Sequence, residues 1–214
     1  KEAYHLLGGK SPLLENTRAQ AQALESVLKI TYPEARVFVS MRYWHPLAAE
    51  TAAAVLAFQP DKIVLLPLYP QYSTTTTKSS FESWHNATAK METAICCYPT
   101  NAGFIEASAD LVRAAMTEAP PKTRLLFSAH GLPEKIIAGG DPYQNHCEQT
   151  AAAIVQQLNI PQLDWQICYQ SRVGPLKWIG PSTEEALAKA AKDNFGVVIY
   201  PLAFVSEHVE TLVE

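Results

Sequence analysis

The stretch Arg124-Leu125-Leu126-Phe127-Ser128-Ala129-His130-Gly131 decides the fold class. Its apolar residues follow one another without the alternation of a half-solvated strand, as expected for a strand covered on both faces of a parallel sheet. Ala35–Ser40 (ARVFVS), Lys62–Leu68 (KIVLLPL), Asp164–Gln170 (DWQICYQ) and Gly196–Leu202 (GVVIYPL) read the same way, and Thr93–Tyr98 (TAICCY) has suitable length and flanks. Helical composition fills the gaps: Thr17–Lys29, the alanine-rich Pro46–Phe58, Thr100–Glu118, Glu148–Leu158 and Ser182–Ala191. The last opens with Ser182-Thr183-Glu184-Glu185, a hydroxyl followed by acids, which caps orphan amides and suits the helix dipole. Strands alternating with helices predict an α/β protein with right-handed crossovers and parallel sheets.

Two such units are expected. Glu118-Ala119-Pro120-Pro121-Lys122-Thr123 reads as a connector, which divides the chain into 1–120 and 121–214, the first unit without an opening strand. Of the 214 residues 48% are hydrophobic and 18% charged, enough apolar material for a real core, so global disorder is excluded. A net charge of −4 without a basic stripe argues against a nucleic-acid partner. No apolar run approaches the ~20 residues of a membrane span. The opening Lys1-Glu2-Ala3-Tyr4-His5 does not read as a signal peptide and lacks an initiator Met, so a partial chain is expected. Cys96, Cys97, Cys147 and Cys168 form no C-x-x-C and no plausible disulfide framework. They read as thiols in a reducing cytoplasm, and the localisation expected is cytoplasmic.

The sequence holds no G-x-G-x-x-G after a strand, no G-x-x-x-x-G-K-[ST], no G-x-S-x-G and no H-E-x-x-H. In open α/β sheets ligands bind beyond the carboxyl ends of the strands, which directs attention to strand ends. His130 follows LLFSA, Gln170-Ser171-Arg172 follows WQICY, and Glu207-His208 follows VIYPLAFVS. One such histidine is commonly a structural hydrogen-bonder; two histidines with several acids at neighbouring ends favour a site. Glu207, Glu210 and Glu214 stand at i, i+3 and i+7, so a helix over 206–214 would align three carboxylates. That stripe is either solvated at a helix N-terminus or a ladder of oxygen ligands for a divalent metal, with His208 or His130 adding nitrogen. Met41-Arg42-Tyr43-Trp44-His45-Pro46 and Tyr69-Pro70-Gln71-Tyr72-Ser73, the latter running into Thr74–Thr77, each follow a strand. They read either as capped turns or as carboxylate binders with aromatic cover for a flat apolar ligand.

Taken in order, LLPLYPQYSTTTT, SAHGLPEK, GDPYQNHCEQTA, YQSRVGPLKWIGPST and PLAFVSEHVETL resemble the ferrochelatase family, from about Gly8 to the last residue. The resemblance implies two Rossmann-like, chelatase-type α/β domains with a porphyrin cleft between them. It implies insertion of iron(II) into protoporphyrin IX or coproporphyrin III to make haem, with porphyrin and ferrous iron as the ligands. His130 in SAHGLP would be the active-site histidine and Glu210 in HVETL the active-site glutamate, both at the inner metal site. Glu214 would continue an acidic track along a C-terminal helix, with Glu207 near its start. Arg42, Tyr43, Tyr72, Ser73, Trp178 and Phe204 would line or border the porphyrin. An imidazole can take a pyrrole proton near neutral pH, a carboxylate can hold the metal, and hydroxyls and Arg42 suit the propionates. No resident cofactor is required.

Against the family pattern, the opening strand, the segment covering the cleft and everything after Glu214 are missing, so the chain is expected to be the central part of a ferrochelatase. No iron–sulfur cluster is expected, since Ala107 stands where an upstream cluster cysteine would fall. Peripheral membrane association and oligomeric state stay open. The rival readings are another tetrapyrrole chelatase, a non-catalytic haem- or porphyrin-binding module, and a metal store using the acidic track.

Overall fold

A computed structural model describes residues 5–213. Its first half runs α1 (Leu13–Thr31), α2 (Ala48–Phe58), β1 (Val64–Leu65), a π-helical turn (Thr74–Lys78), α3 (Ser79–Ala87), β2 (Thr93–Ala94) and α4 (Ala102–Glu118). There follow β3 (Thr123–His130), α5 (Glu134–Ala138), α6 (Tyr143–Leu158), β4 (Trp165–Gln170), α7 (Thr183–Lys192), β5 (Gly196–Pro201) and α8 (Val209–Leu212). Each of the ladders β1–β2, β3–β4 and β3–β5 is parallel, as the uninterrupted apolar runs require.

Packing gathers the chain into two compact units. One comprises the described residues of Lys1–Pro67, Thr74–Cys96 and Ser206–Glu214, the other Leu68–Ser73 and Cys97–Val205. The chain passes between them at Pro67–Leu68, Ser73–Thr74, Cys96–Cys97 and Val205–Ser206, whereas the connector reading places one boundary near 120. The physical reason is that α4 packs on α6 and closes the core of the sheet that follows the Glu118–Thr123 connector.

In the second unit β3 lies between β4 and β5, and its pleat sorts its side chains by period two. Leu125, Phe127 and Ala129 enter a core with Ile105, Ala109 and Val112 of α4 and Cys147, Ala151 and Ile154 of α6. Leu126 turns to the other face, against Cys168 and Ala186 of α7. Burying Leu125, Leu126 and Phe127 stabilises the fold by ~1.5–3 kcal/mol each. The Ser182 cap forms as read: its hydroxyl accepts from the Glu185 amide at 3.1 Å, and the Glu185 carboxylate accepts from the Ser182 amide at 2.6 Å. All four cysteines are free thiols, with Cys147 and Cys168 buried; burial pushes the Cys147 thiol up to about 12.

The first unit departs further from expectation. Ala52, Val55, Ile63 and Trp84 form its core, with Phe38 and Leu65 at the edge. Residues 35–40 join no ladder among the described residues. Side chains take the place of a neighbouring strand: the Val37 amide donates to the Glu25 carboxylate at 2.9 Å, and the Val39 carbonyl accepts from the Thr51 hydroxyl at 2.8 Å. The Lys62–Leu68 run shrinks to Val64–Leu65, because Pro67 has no N–H to continue a ladder. The Thr93–Tyr98 run shrinks with it, to Thr93–Ala94.

The expected helix over 206–214 is also corrected. The His208 ring Nδ1 accepts from the Glu210 amide at 3.1 Å, and the Thr211 hydroxyl accepts from the His208 amide at 3.0 Å. This cap starts the helix after His208, so Glu207 precedes it and does not share a helical face with Glu210. Glu214 lies outside the described residues. No described helix is long and apolar enough to cross a membrane.

Candidate active site

His130 is the last residue of β3, in register with Gln170 of β4. On the other flank the ladder to β5 ends at Ser128. The His130 carbonyl, past that end, accepts instead from the phenol hydroxyl of Tyr143 at 3.0 Å. Tyr143 is 6% exposed and opens α6. The chain turns away directly after His130: the Gly131 amide donates to the Gln170 carbonyl at 2.8 Å. A Cβ on Gly131 would stand 3.0 Å from that carbonyl and 3.3 Å from Cε3 of Trp178, so glycine lets β4 and the indole close on this corner. Trp178 is held there by backbone pairing, the Ile179 amide donating to the Leu132 carbonyl at 3.0 Å. Its indole N–H is buried and donates to no protein group. Ser171, next after β4, takes a left-handed φ of 61°, the kind of backbone outlier that concentrates at functional sites.

The hydroxyl-rich segment docks on the same unit. The Gln71 amide group donates to the Thr150 hydroxyl at 3.0 Å, the Tyr72 backbone N–H to His146 Nδ1 at 3.2 Å, and the Ser73 hydroxyl to Asp141 Oδ2 at 3.0 Å. Ser73 is 1% exposed, so its side chain is directed to Asp141 rather than to solvent. Burial holds the His146 imidazole below its ordinary pKa against the opposing charge of Asp141, which keeps Nδ1 free to accept. Four residues singled out by sequence, Tyr72, Ser73, His130 and Trp178, are thereby joined to one framework. Phe204, half-buried, follows β5 in the same unit.

Arg42, Tyr43 and Glu210 belong to the other unit. Arg42 Nε donates to the Ser79 hydroxyl at 2.8 Å, and its guanidinium stacks 4.6 Å over the Tyr43 ring. Tyr43 is exposed, as is Trp44 beside it. Glu210 sits half-buried in the first turn of α8, where the backbone dipole welcomes a carboxylate. Among the described residues no three His, Cys, Asp or Glu side chains form a metal cage.

A family model described as Ferrochelatase matches residues 1–214. The chain belongs to the ferrochelatase family. It is 56% identical over 220 residues to the ferrochelatase of Caulobacter vibrioides, covering 100% of this chain and 63% of that protein. To the ferrochelatase of Phenylobacterium zucineum it is 54% identical over 219 residues, covering 99% and 63%. To that of Wolbachia sp. subsp. Brugia malayi it is 45% identical over 247 residues, covering 100% and 73%. The chain thus spans 63% of the length of the first two ferrochelatases.

Sequence reasoning assigned no role to Asp141, Tyr143 or His146, although GDPYQNHCEQTA was among the motifs it quoted. The available signal was an acid two residues ahead of a helix-opening Tyr, a pattern that caps backbone amides.

Proposed function

We propose that the protein containing this chain is a ferrochelatase that inserts iron(II) into protoporphyrin IX or coproporphyrin III, acting in the cytoplasm. The observation that carries the reading is His130 at the carboxyl end of a central parallel strand, in a chain that matches the ferrochelatase family along its whole length. Insertion exchanges two pyrrole protons for iron(II) with no change of oxidation state. His130 accepts a pyrrole proton; Glu210, with Glu214 beyond it, serves the metal. The Arg42 guanidinium and the polar groups of Tyr43 and Tyr72 serve the propionates, Ser73 braces that segment through Asp141, and the rings of Trp178 and Phe204 cover the disc. No resident cofactor and no iron–sulfur cluster enter this scheme.

The test is anaerobic incubation of the intact protein with iron(II) or zinc(II) and each porphyrin, followed by visible absorption. Conversion to metalloporphyrin is the expected result. A bound porphyrin whose metal-free spectrum persists would make the protein a non-catalytic binding module instead.

A further inference from the structure

Residues 71–73 are anchored one after another along the N-terminal part of α6. Gln71 reaches Thr150, Tyr72 reaches His146 one helical turn earlier, and Ser73 reaches Asp141 just before the helix. Asp141 is 6% exposed, and a carboxylate so buried is costly unless donors surround it. It has the Ser73 hydroxyl on Oδ2 and, at 3.0 Å, the backbone N–H of Tyr143 on Oδ1. The second donor belongs to the first turn of α6, where the helix dipole adds to the attraction. Tyr143 then sends its own hydroxyl to the His130 carbonyl at 3.0 Å. A buried phenol has only two side-chain torsions, so a carboxylate that pins its backbone also pins its hydroxyl.

We propose that Asp141 is a positioning residue, which acts through Tyr143 to hold the His130 strand end in register with the Tyr72–Ser73 segment. The inference rests on the ferrochelatase reading for its catalytic consequence, but not for the coupling itself. In the path from Ser73 through Asp141 and Tyr143 to His130 every link is a 3.0 Å hydrogen bond, and its two ends lie 57 positions apart in sequence. Asp141 need not touch substrate. Its effect is to keep one proton-accepting imidazole and one polar segment from drifting independently, and small misplacements of a reacting group are expensive in rate.

The experiment uses the intact protein with Tyr143→Phe, Asp141→Ala and Asp141→Asn. Two readouts are taken at fixed pH: the imidazole nitrogen resonances of His130, and kcat with KM for metal. Tyr143→Phe keeps the ring and removes one hydroxyl; it should displace the His130 resonance and lower kcat about 3- to 10-fold with KM for metal unchanged. Asp141→Ala should displace the resonance further and lower kcat by about 10-fold or more. Asp141→Asn, which retains an acceptor for the Tyr143 amide, should recover most of the loss. Should Asp141→Ala fail to fold, Tyr143→Phe alone carries the test. Variants that lose only thermal stability, with His130 resonance and kcat at parent values, would overturn the proposal. A parent protein without chelatase activity would sink the proposed function, and the resonance shift would still decide the coupling.

Discussion

Arg124 and Asp164 form a two-point ion pair, Nε donating to Oδ1 at 2.6 Å and Nη2 to Oδ2 at 3.0 Å, where β3 begins. The third guanidine nitrogen donates to Asp193 at 3.1 Å, and the plane lies 4.7 Å over the Phe195 ring. His130 stands six residues along the same strand, about 20 Å away at ~3.3 Å per residue. One end of the strand is thus built for cohesion and the other carries the candidate chemistry.

Replacing Arg124 by Met should therefore cost stability and spare the site. The side chain of Arg124 is 9% exposed, and its loss takes the guanidinium partner from both Asp164 and Asp193. Because those aspartates are about a third exposed, water screens the penalty, and a loss of about 1–3 kcal/mol is expected in urea unfolding. Metal insertion per folded molecule should stay at the parent value. A large fall in kcat without loss of stability would contradict this division of labour along β3.

The same pair sets a pH dependence. The hydrogen bond from Arg124, reinforced by its charge, holds the Asp164 carboxyl below the usual carboxylate range. The unfolded chain therefore takes up this proton at a higher pH than the folded one. The contribution to stability is complete above the unfolded value, near ~4, and disappears as pH falls through the lower folded value. Unfolding measured between pH 6 and pH 3 should show a steeper acid loss for the parent than for Asp164→Asn. Parallel curves would remove Asp164 as a contributor.

The sheet was legible in the sequence because its three strands carry their own burial signal. The run of Arg124–Ser128 lies within β3, and the runs at 164–170 and 196–202 differ from β4 and β5 by a residue at one end. Residues 35–40 carry the same pattern without a ladder, since pairing depends on a partner strand that composition cannot supply. His130 was legible as a polar residue at a strand end. Asp141 was not, because its meaning comes from Ser73, 68 positions earlier, and no local pattern records that meeting. Glu207 and Glu210 share no helical face for a local reason: spacing describes a helix already begun, and the His208 cap decides where this one begins.

Gly131 offers a sharper test of the corner beside His130. In Gly131→Ala the new methyl would meet the Gln170 carbonyl at 3.0 Å, and that oxygen is a backbone atom of β4 that cannot swing aside. Either the end of β4 or Trp178 must move. Overpacking of this kind costs ~1–3 kcal/mol. Here it should also weaken porphyrin binding, seen as a raised KM for porphyrin and altered Trp fluorescence on titration with the ring. A destabilised variant with parent KM would show that Trp178 does not border the substrate.

His130→Ala separates the catalytic role of this residue from an architectural one. The link to Tyr143 uses the backbone carbonyl of His130, which alanine retains, so the strand end should stay anchored and the melting temperature should change little. The imidazole alone is lost. If it accepts a pyrrole proton, metal insertion should fall by ~10²–10⁴-fold, the usual worth of a positioned general base. Porphyrin binding should survive, because the disc is assigned to aromatic and polar groups elsewhere on the chain. An imidazole that merely braced the strand would give the opposite result: a lowered melting temperature, with the remaining folded protein turning over near the parent rate. Thermal unfolding, porphyrin titration and zinc insertion on one preparation distinguish the two outcomes. A stable variant with near-parent turnover would take His130 out of the mechanism.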